Sequence, residues 1–399
     1  MPLHLMLIFF VVMSLVTFSL SAYALTRLQH LLEVALALDS SPLTDLIHLL
    51  GEPSTWGASA GLIACYFAVG SFVPARPLRW LGWVSGAWMG QLALLLFFAG
   101  PAHIVAWGGS LAGIDLTLGA RGARVLLTLI EGALLVGLWR AAQPPLLREL
   151  EVSDPEVGEG LDGFRILQLS DVHIGPTIGS RFVERLHERC AAIRPDLIVM
   201  TGDLVDGHPR YLRDEVRRFL ALGEYAHHGL YLITGNHEYI SGAQVWVDEI
   251  RAMGGAVLEN EHITIDADGD ELHLIGVEDW DASKFDPRRA PMLDRALEGL
   301  EGQSGFKLLL AHQPKAAPEA STRGVHLQLS GHTHGGQIFP FNFLIYLDQP
   351  YNRGRYQLGG LTLYVNEGTG YWGPPLRLGT RAELTLVTLR SPNAPTPTA

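Results

Sequence analysis

Phe164-Arg165-Ile166-Leu167-Gln168-Leu169-Ser170-Asp171-Val172-His173 is the stretch from which the fold can be read. Its first six residues form a short apolar-rich run of strand length, and Asp171 and His173 follow as soon as that run ends. The same grammar recurs along the chain. Residues 197–201 lead into Gly202-Asp203, and residues 230–234 into Gly235-Asn236-His237-Glu238. Residues 307–310 lead into His312, and residues 326–329 into Gly331-His332-Thr333-His334. Residues 272–277 read as a further strand, and helix-length segments lie at 180–193, 210–226 and 242–253. Strands alternating with helices predict an α/β domain with helices outside a sheet core. In such sheets ligands gather at the carboxyl ends of the strands, which points all five polar blocks at one site. Past residue 355 the pattern changes to strands at 356–359, 361–365 and 383–389, which close a second sheet against the first.

The residue types in these blocks define a chemistry. Divalent cations engaged in phosphate chemistry take hard oxygens and imidazole nitrogens, with positions left for water and substrate. Asp171 and His173, two residues apart, can turn to one ion. Asp203 follows Gly202, which lets the backbone come close and the carboxylate bridge two ions. Asn236 offers a neutral carbonyl oxygen. His332 and His334 straddle Thr333 and can reach different ions, and His312 completes the set. One ion would be held by Asp171, His173, Asp203 and His334, the other by Asp203, Asn236, His312 and His332. His237 is left free of metal, in the part of a general acid that protonates the leaving oxygen. Asp206 and Asp279 read as supporting or capping residues, and Glu238 as a supporting group or a helix start. Taken singly, each block is an ordinary cap or turn; five in order at strand ends are not.

Composition bounds the rest. The chain has 399 residues, 48% of them hydrophobic, and a formal charge of -12. Residues 1–140 carry six basic and six acidic residues, so the whole charge falls on residues 141–399. An acidic domain excludes a nonspecific nucleic-acid binder, and no nucleic-acid polymer is expected as partner. Two cysteines, Cys65 and Cys190, exclude a disulfide framework.

Residues 3–25 form an uncharged apolar run long enough for a bilayer span, with a signal peptide as the competing reading. Residues 57–75, 81–100 and 122–139 are further candidate spans, giving an all-α transmembrane region of about four helices over 1–140. Glu131 lies in the last of them, facing a functional cavity or held by a partner. The segments around 30–50 and 101–118 read as interfacial or short reentrant pieces. Arg76, Arg79, Arg140 and Arg148 oppose Arg27, Arg121 and Arg124 across four spans, which favours a multi-pass protein with a cytoplasmic catalytic part. Residues 141–162, rich in Pro, Gly and acidic residues, read as a linker before a domain at 163–390. Residues 391–399 read as a disordered tail.

On these motifs the chain resembles the calcineurin-like metallophosphoesterase superfamily over roughly residues 163–390, through Asp171-X-His173, Gly202-Asp203 with Asp206, Gly235-Asn236-His237-Glu238, His312 and Gly331-His332-Thr333-His334. Gly335-Gly336-Gln337, the closing run Asn366-Glu367-Gly368-Thr369-Gly370 and Pro375-Leu376-Arg377 make it similar to the bacterial membrane-linked branch, akin to transmembrane proteins with a metallophosphoesterase domain. The resemblance implies a four-layer α/β/β/α sandwich and two divalent metal ions (Mn, Fe or Zn). It also implies hydrolysis of phosphoric esters by metal-activated hydroxide. Ala382 departs from the proline expected before Glu383, at a turn away from the ligands. The expected function is a membrane-anchored phosphohydrolase acting on phosphoric ester or pyrophosphate bonds of a small-molecule or lipid-linked substrate. The alternatives are a tethered phosphodiesterase for soluble nucleotides and a non-catalytic metal-binding sensor or scaffold. Phe339, Phe341, Phe343, Tyr346, Tyr371 and Trp372 are candidates for lining an acyl groove.

Overall fold

A computed structural model describes the backbone of residues 3–37 and 42–392, and side chains over 15–37 and 43–392. All but the first two residues of the expected tail lie outside the described residues. The chain divides into two compact units, residues 1–69, 78–142 and 373–378 in one, and 70–77, 143–372 and 379–399 in the other.

The first unit holds helices α1 (Leu3–Leu36), α2 (Pro42–His48), α3 (Pro53–Ala68), α4 (Ala75–Leu111) and α5 (Ala120–Ala142). Among the described residues two of them, α4 and α5, are long and apolar enough to cross a membrane, against four expected spans. The run expected at 57–75 becomes α3, whose 16 residues fall short of the about 20 a bilayer needs. The run at 3–25 lies in α1, and the side chains of its first half are outside the described residues. The stretch 101–118, expected as interfacial, is partly absorbed by α4, which continues through Pro101 to Leu111. Several polar groups inside the unit are paired with one another. The Ser59 hydroxyl donates to Ser21 at 2.9 Å, and the Trp88 indole donates to Ser59 at 2.8 Å. Gln91 Nε2 donates to the Glu131 carboxylate at 2.7 Å, so Glu131 has a partner across α4 and α5.

Residues 373–378 cluster with these helices and not with the sheets. A Cβ on Gly86 would stand 2.7 Å from Pro375 Cδ, and one on Gly137 would stand 2.6 Å from Leu376 Cδ1. The bare glycines form a notch into which Pro374-Pro375-Leu376 settles. The Arg377 N–H closes it by donating to the Gly137 carbonyl at 3.1 Å.

The second unit carries strands β1 (Leu146–Ser153), β2 (Arg165–Leu169), β3 (Leu197–Thr201), β4 (Leu230–Ile233), β5 (Ala256–Val257), β6 (Glu261–Ala267), β7 (Asp270–Gly276), β8 (Phe306–Leu310), β9 (Leu327–Ser330), β10 (Gly354–Leu358), β11 (Leu361–Val365) and β12 (Glu383–Arg390). They make two six-stranded sheets, ordered β1-β12-β2-β3-β4-β5 and β10-β11-β9-β8-β7-β6. β2, β3 and β4 run parallel, as do β7, β8 and β9. β1 lies inside the stretch expected as linker. Its alternation of Arg148, Glu149 and Glu151 with Leu150 and Val152 suits an exposed sheet edge, and it pairs in parallel with β12 from Leu146–Glu383 to Ser153–Arg390.

Side-chain alternation along the strands builds the layers. Leu308, Leu310, Leu327 and Leu329 join Ile166, Leu197, Val199 and Val387 in the core between the sheets. Leu309, Leu361, Leu363 and Val365 point the other way, onto α11 (Leu293–Ala296) and α12 (Ala317–Ala320). Amphipathic α6 (Ser180–Ile193), α7 (Pro209–Leu220) and α9 (Ala243–Ala252) each bury one apolar face, with α8 (Asn236–Ser241) and α10 (Ala282–Phe285) between. This is the expected four-layer α/β/β/α sandwich preceded by helices.

Cys190, on the buried face of α6, is fully enclosed, and burial pushes its thiol up from 9.0 to about 12. Thiolate is the reactive form. At pH 8 the native chain is therefore expected to leave Cys190 unmodified by iodoacetamide and the urea-unfolded chain to expose it, read by peptide mass spectrometry. Native-state labelling would contradict the buried placement.

Candidate metal centre

The polar blocks sit where the parallel strands stop. Strand pairing continues one step past β2 and β3, as Asp171 N–H donates to the Gly202 carbonyl at 3.0 Å and His173 N–H to Asp203 at 3.1 Å. Gly331 N–H likewise donates to the His312 carbonyl at 2.9 Å, joining the ends of β8 and β9. At these ends the chain must turn its side chains inward within two residues, and it does so through left-handed backbone. Asp171, His173, Asp203, His332 and His334 have φ of 51°, 54°, 56°, 70° and 50°. Such values cost side-chain-bearing residues energy and persist only where the surroundings enforce them. The flanking glycines make room. A Cβ on Gly331 would stand 2.1 Å from Asp171 Oδ2, and one on Gly235 2.2 Å from Asp203 Oδ1.

All eight singled-out residues come together. His173 Nε2 lies 3.1 Å from His334 Nε2, and His334 Nε2 lies 3.4 Å from Asp171 Oδ1. His332 Nδ1 lies 2.9 Å from Asn236 Oδ1 and 3.3 Å from His312 Nε2. Between the two groups stands Asp203, its Oδ2 3.2 Å from His312 Nε2 and 3.8 Å from His173 Nε2. Metal-capable atoms fall into three overlapping sets within 4.8 Å: Asp171-His173-His334, His173-Asp203-His237 and Asp203-His312-His332. Donor atoms about 2.1 Å from one ion lie about 3 Å from each other, the spacing found here. The facing imidazole nitrogens can share a proton in a hydrogen bond, and the same lone pairs can converge on a cation. The donor set fits divalent ions.

Metal ligands must be deprotonated; Asp203 and His332 already favour that form, whereas an ion would have to displace protons from Asp171 and His312. Burial opposes ionisation of Asp203, yet the His312 and His237 rings hold its carboxyl well below the usual range. Burial, with His312 adding to it, pushes His332 down to about 3. Asp171 goes up, chiefly from burial. Burial disfavours charge on His312, but the Asp203 carboxylate overrides it and raises the ring well above its ordinary value.

A second layer of side chains holds the first. The Asp206 carboxylate takes His173 Nδ1 at 3.0 Å and His237 Nδ1 at 2.6 Å. Burial alone would lower His237, but Asp206 and Asp203 raise it to about 9. His312 Nδ1 sits 2.8 Å from the Thr201 carbonyl, which turns its Nε2 inward. Glu238 accepts from the N–H groups of Asp203 (3.0 Å), Leu204 (2.8 Å), Val205 (3.1 Å) and Gly235 (2.7 Å). Burial, with Asp203 nearby, pushes Glu238 up to about 7. Its role is therefore to pin the loop behind Asp203 to the start of α8. Asp279 accepts from Gln313 Nε2 and from the Asp281 N–H, a supporting place next to His312. The closing run supports Asp171: Thr369 N–H donates to the Ser170 carbonyl at 2.7 Å and Gly370 N–H to Asp171 at 3.0 Å. Sequence reasoning gave Ser170 and Thr369 no role. Trp372 was missed as a neighbour of His237, their ring centres 5.4 Å apart, and only its aromatic character beside the closing run hinted at it.

Residues 164–336 match the calcineurin-like phosphoesterase family. Two relatives called "Transmembrane protein with metallophosphoesterase domain" extend the match. That of Danio rerio is 33% identical over 82% of this chain and 77% of its own, and that of Bos taurus is 36% identical over 77% and 72%. The chain belongs to the calcineurin-like phosphoesterase family. A metallophosphoesterase of Bacillus subtilis (strain 168), 33% identical over 64% of this chain and 90% of its own, adds a bacterial member. Membership makes the chain a metal-dependent phosphoesterase, a hydrolase.

Removing the Glu238 carboxylate strands four buried N–H groups. Glu238→Ala is expected to lose about 3 kcal/mol or more of unfolding free energy and roughly 10–100-fold in metal affinity, measured by urea denaturation and metal titration. Unchanged values for both would rule out the pinning role.

Proposed function

We propose that this chain is a membrane-anchored phosphohydrolase with a dinuclear centre of Mn, Fe or Zn, cleaving phosphoric ester or pyrophosphate bonds of an amphiphilic substrate. The observation that carries the reading is the position of Asp203, one carboxylate oxygen set between His173 of one donor group and His312 of the other. A bridging carboxylate between two histidine-bearing groups is what a two-ion clamp requires. Asp171, His173 and His334 with Asp203 would hold one ion, and Asn236, His312 and His332 would share Asp203 for the second. Bound there, two divalent ions supply Lewis acidity that acidifies water and neutralises phosphoryl oxygens.

The chain's own residues do the rest. Left-handed backbone and bare glycines keep the donors oriented before substrate arrives, so little reorganisation accompanies the reaction. Asp206 takes His237 Nδ1, leaving Nε2 to carry the transferable proton, and its charge favours the protonated ring. His237 Nε2–H then donates to the oxygen of the departing group as the P–O bond breaks.

Anchoring rests on α4 and α5, whose length and hydropathy suit a membrane span. With both termini and the catalytic unit in the cytoplasm, as the arginine distribution favours, the substrate would be met at the inner leaflet. An anchored enzyme favours an amphiphilic ester; a soluble nucleotide diester is the competing substrate.

The full chain loaded with Mn²⁺ is expected to hydrolyse bis-p-nitrophenyl phosphate and to lose that activity with a chelator. Asn236→Ala is expected to bind fewer than two ions per chain by elemental analysis. No turnover with metal demonstrably bound would overturn the catalytic reading, and full ion content in the variant would overturn the ligand assignment.

His237→Gln is expected to lower kcat by roughly 10²–10⁴ for an alkyl ester and far less for a p-nitrophenyl ester, whose leaving group needs no proton. An equal loss for both substrates would remove His237 from the acid role. After alkaline carbonate extraction of membranes the chain is expected in the pellet; recovery in the supernatant would exclude spanning helices.

A further inference from the structure

We infer that residues 339–347 form an apolar finger that inserts into the interface of a zwitterionic lipid bilayer, beside the metal-holding loop. The segment reads Phe339-Pro340-Phe341-Asn342-Phe343-Leu344-Ile345-Tyr346-Leu347, without a single charge. Phe343 is 64% exposed and Leu347 86%, and Phe339, Phe341, Leu344 and Tyr346 are each at least 40% exposed. Elsewhere in the sheet unit exposed large apolar side chains occur singly or in pairs, which needs no explanation; six within nine residues do. An acyl groove would cover these side chains. They project instead, so the finger itself enters an apolar phase.

The finger is firmly seated. It folds as a single turn, α13 (Phe341–Leu344), continued by a 3₁₀ turn over Ile345–Leu347, and Phe339 and Phe343 pack edge to face at 5.9 Å. Asn342 lies against Gly336, where a Cβ would meet Asn342 Cα at 2.2 Å, so only glycine fits two residues after His334. The Asn342 carbonyl accepts from Asn352 Nδ2 at 3.3 Å, and the Asn352 carbonyl accepts from the Thr333 hydroxyl. At the far end Lys315 pairs with Asp348 at 2.8 Å, and Gln349 Nε2 donates to Gln313 at 3.2 Å. Thr333 and Gln313 adjoin His332, His334 and His312 in sequence. The finger is thus built onto the loops that carry proposed ligands.

Two arguments select a bilayer as occupant. The first rests on the anchoring proposed above: spanning helices hold the catalytic unit near a membrane at high effective concentration, so modest apolar insertion suffices. The second is charge. Residues 141–399 carry the whole net -12, which repels a second copy and anionic headgroups alike, and the finger offers no basic residue to offset it. Phe, Tyr and Leu are the side chains an uncharged interface accepts. Docking there would bring headgroup-level phosphoesters to the site.

The test uses the full chain in phosphatidylcholine vesicles, in a Cys65→Ser background with an NBD label at Leu347→Cys, compared with a label at Glu298→Cys on an exposed turn of the same unit. Quenching by doxyl-phosphatidylcholine is expected to be about threefold or more stronger at 347 than at 298, and to be unaffected by added salt. Equal quenching at the two positions overturns the inference. So does quenching that appears only with added phosphatidylserine and is lost in salt, since that is electrostatic adsorption. Crosslinking between copies through position 347 without quenching assigns the face to a second copy and also overturns it. Turnover of bis-p-nitrophenyl phosphate by the same protein reports the catalytic reading separately, and carbonate extraction the anchoring, so each can fail alone.

Discussion

One buried carboxylate organises the catalytic unit. Glu238 gathers the N–H groups of Asp203, Leu204, Val205 and Gly235, so the loop after β3 and the loop after β4 cannot move independently. Without an acceptor those donors would be buried and unsatisfied, a cost of about 1–3 kcal/mol each. With it, Asp203 is held at left-handed φ with its Oδ1 accepting from the His237 N–H at 2.8 Å. Its Oδ2 is then free to face both histidine groups. The bridging carboxylate, the placement of His237 and the start of α8 follow from that one arrangement.

The metal centre also concentrates strain that the rest of the unit supports. Five proposed ligands adopt left-handed backbone, conformations of the kind functional sites retain because their surroundings over-determine them. The enforcing elements are parallel strands that stop together, glycines whose missing Cβ atoms admit neighbouring donors, and the Thr369–Gly370 run clamped on Ser170 and Asp171. Asp206 performs a second coupling by serving His173 and His237 with one carboxylate, so the orientation of a ligand and that of the acid are set together.

Much of this was legible in order along the chain. The β2, β3, β4, β8 and β9 runs are apolar and buried on both faces, so they stand out as strands, and the polar blocks follow them directly. Helices α6, α7 and α9 announce themselves by periodicity. β1 was hidden because an edge strand with one solvated face carries the charges of a linker. Glu238 stayed ambiguous because a carboxylate three residues after a glycine reads equally as a helix start, and its partners at residues 203–205 are remote in sequence. Residues 373–378 read as part of the domain because nothing local reveals that Gly86, Gly90 and Gly137 leave a notch for them. Aromatic composition likewise does not say whether side chains are exposed, and Tyr371 is buried while Phe343 stands 64% exposed.

By itself the sequence determined the class of chemistry, since hard oxygens and imidazoles placed at strand ends admit few uses other than holding divalent ions over a phosphoester. Side-chain period, a local property, determined the alternation of strands and helices, and the four-layer sandwich was implied by the resemblance the motifs carry. Only the tertiary structure decided what supports the donors, with Asp206 shared by two histidines and Glu238 gathering the loop behind Asp203. Those relations depend on backbone turns and on contacts between residues far apart in the chain, where a glycine's missing atom or a remote carboxylate determines the geometry.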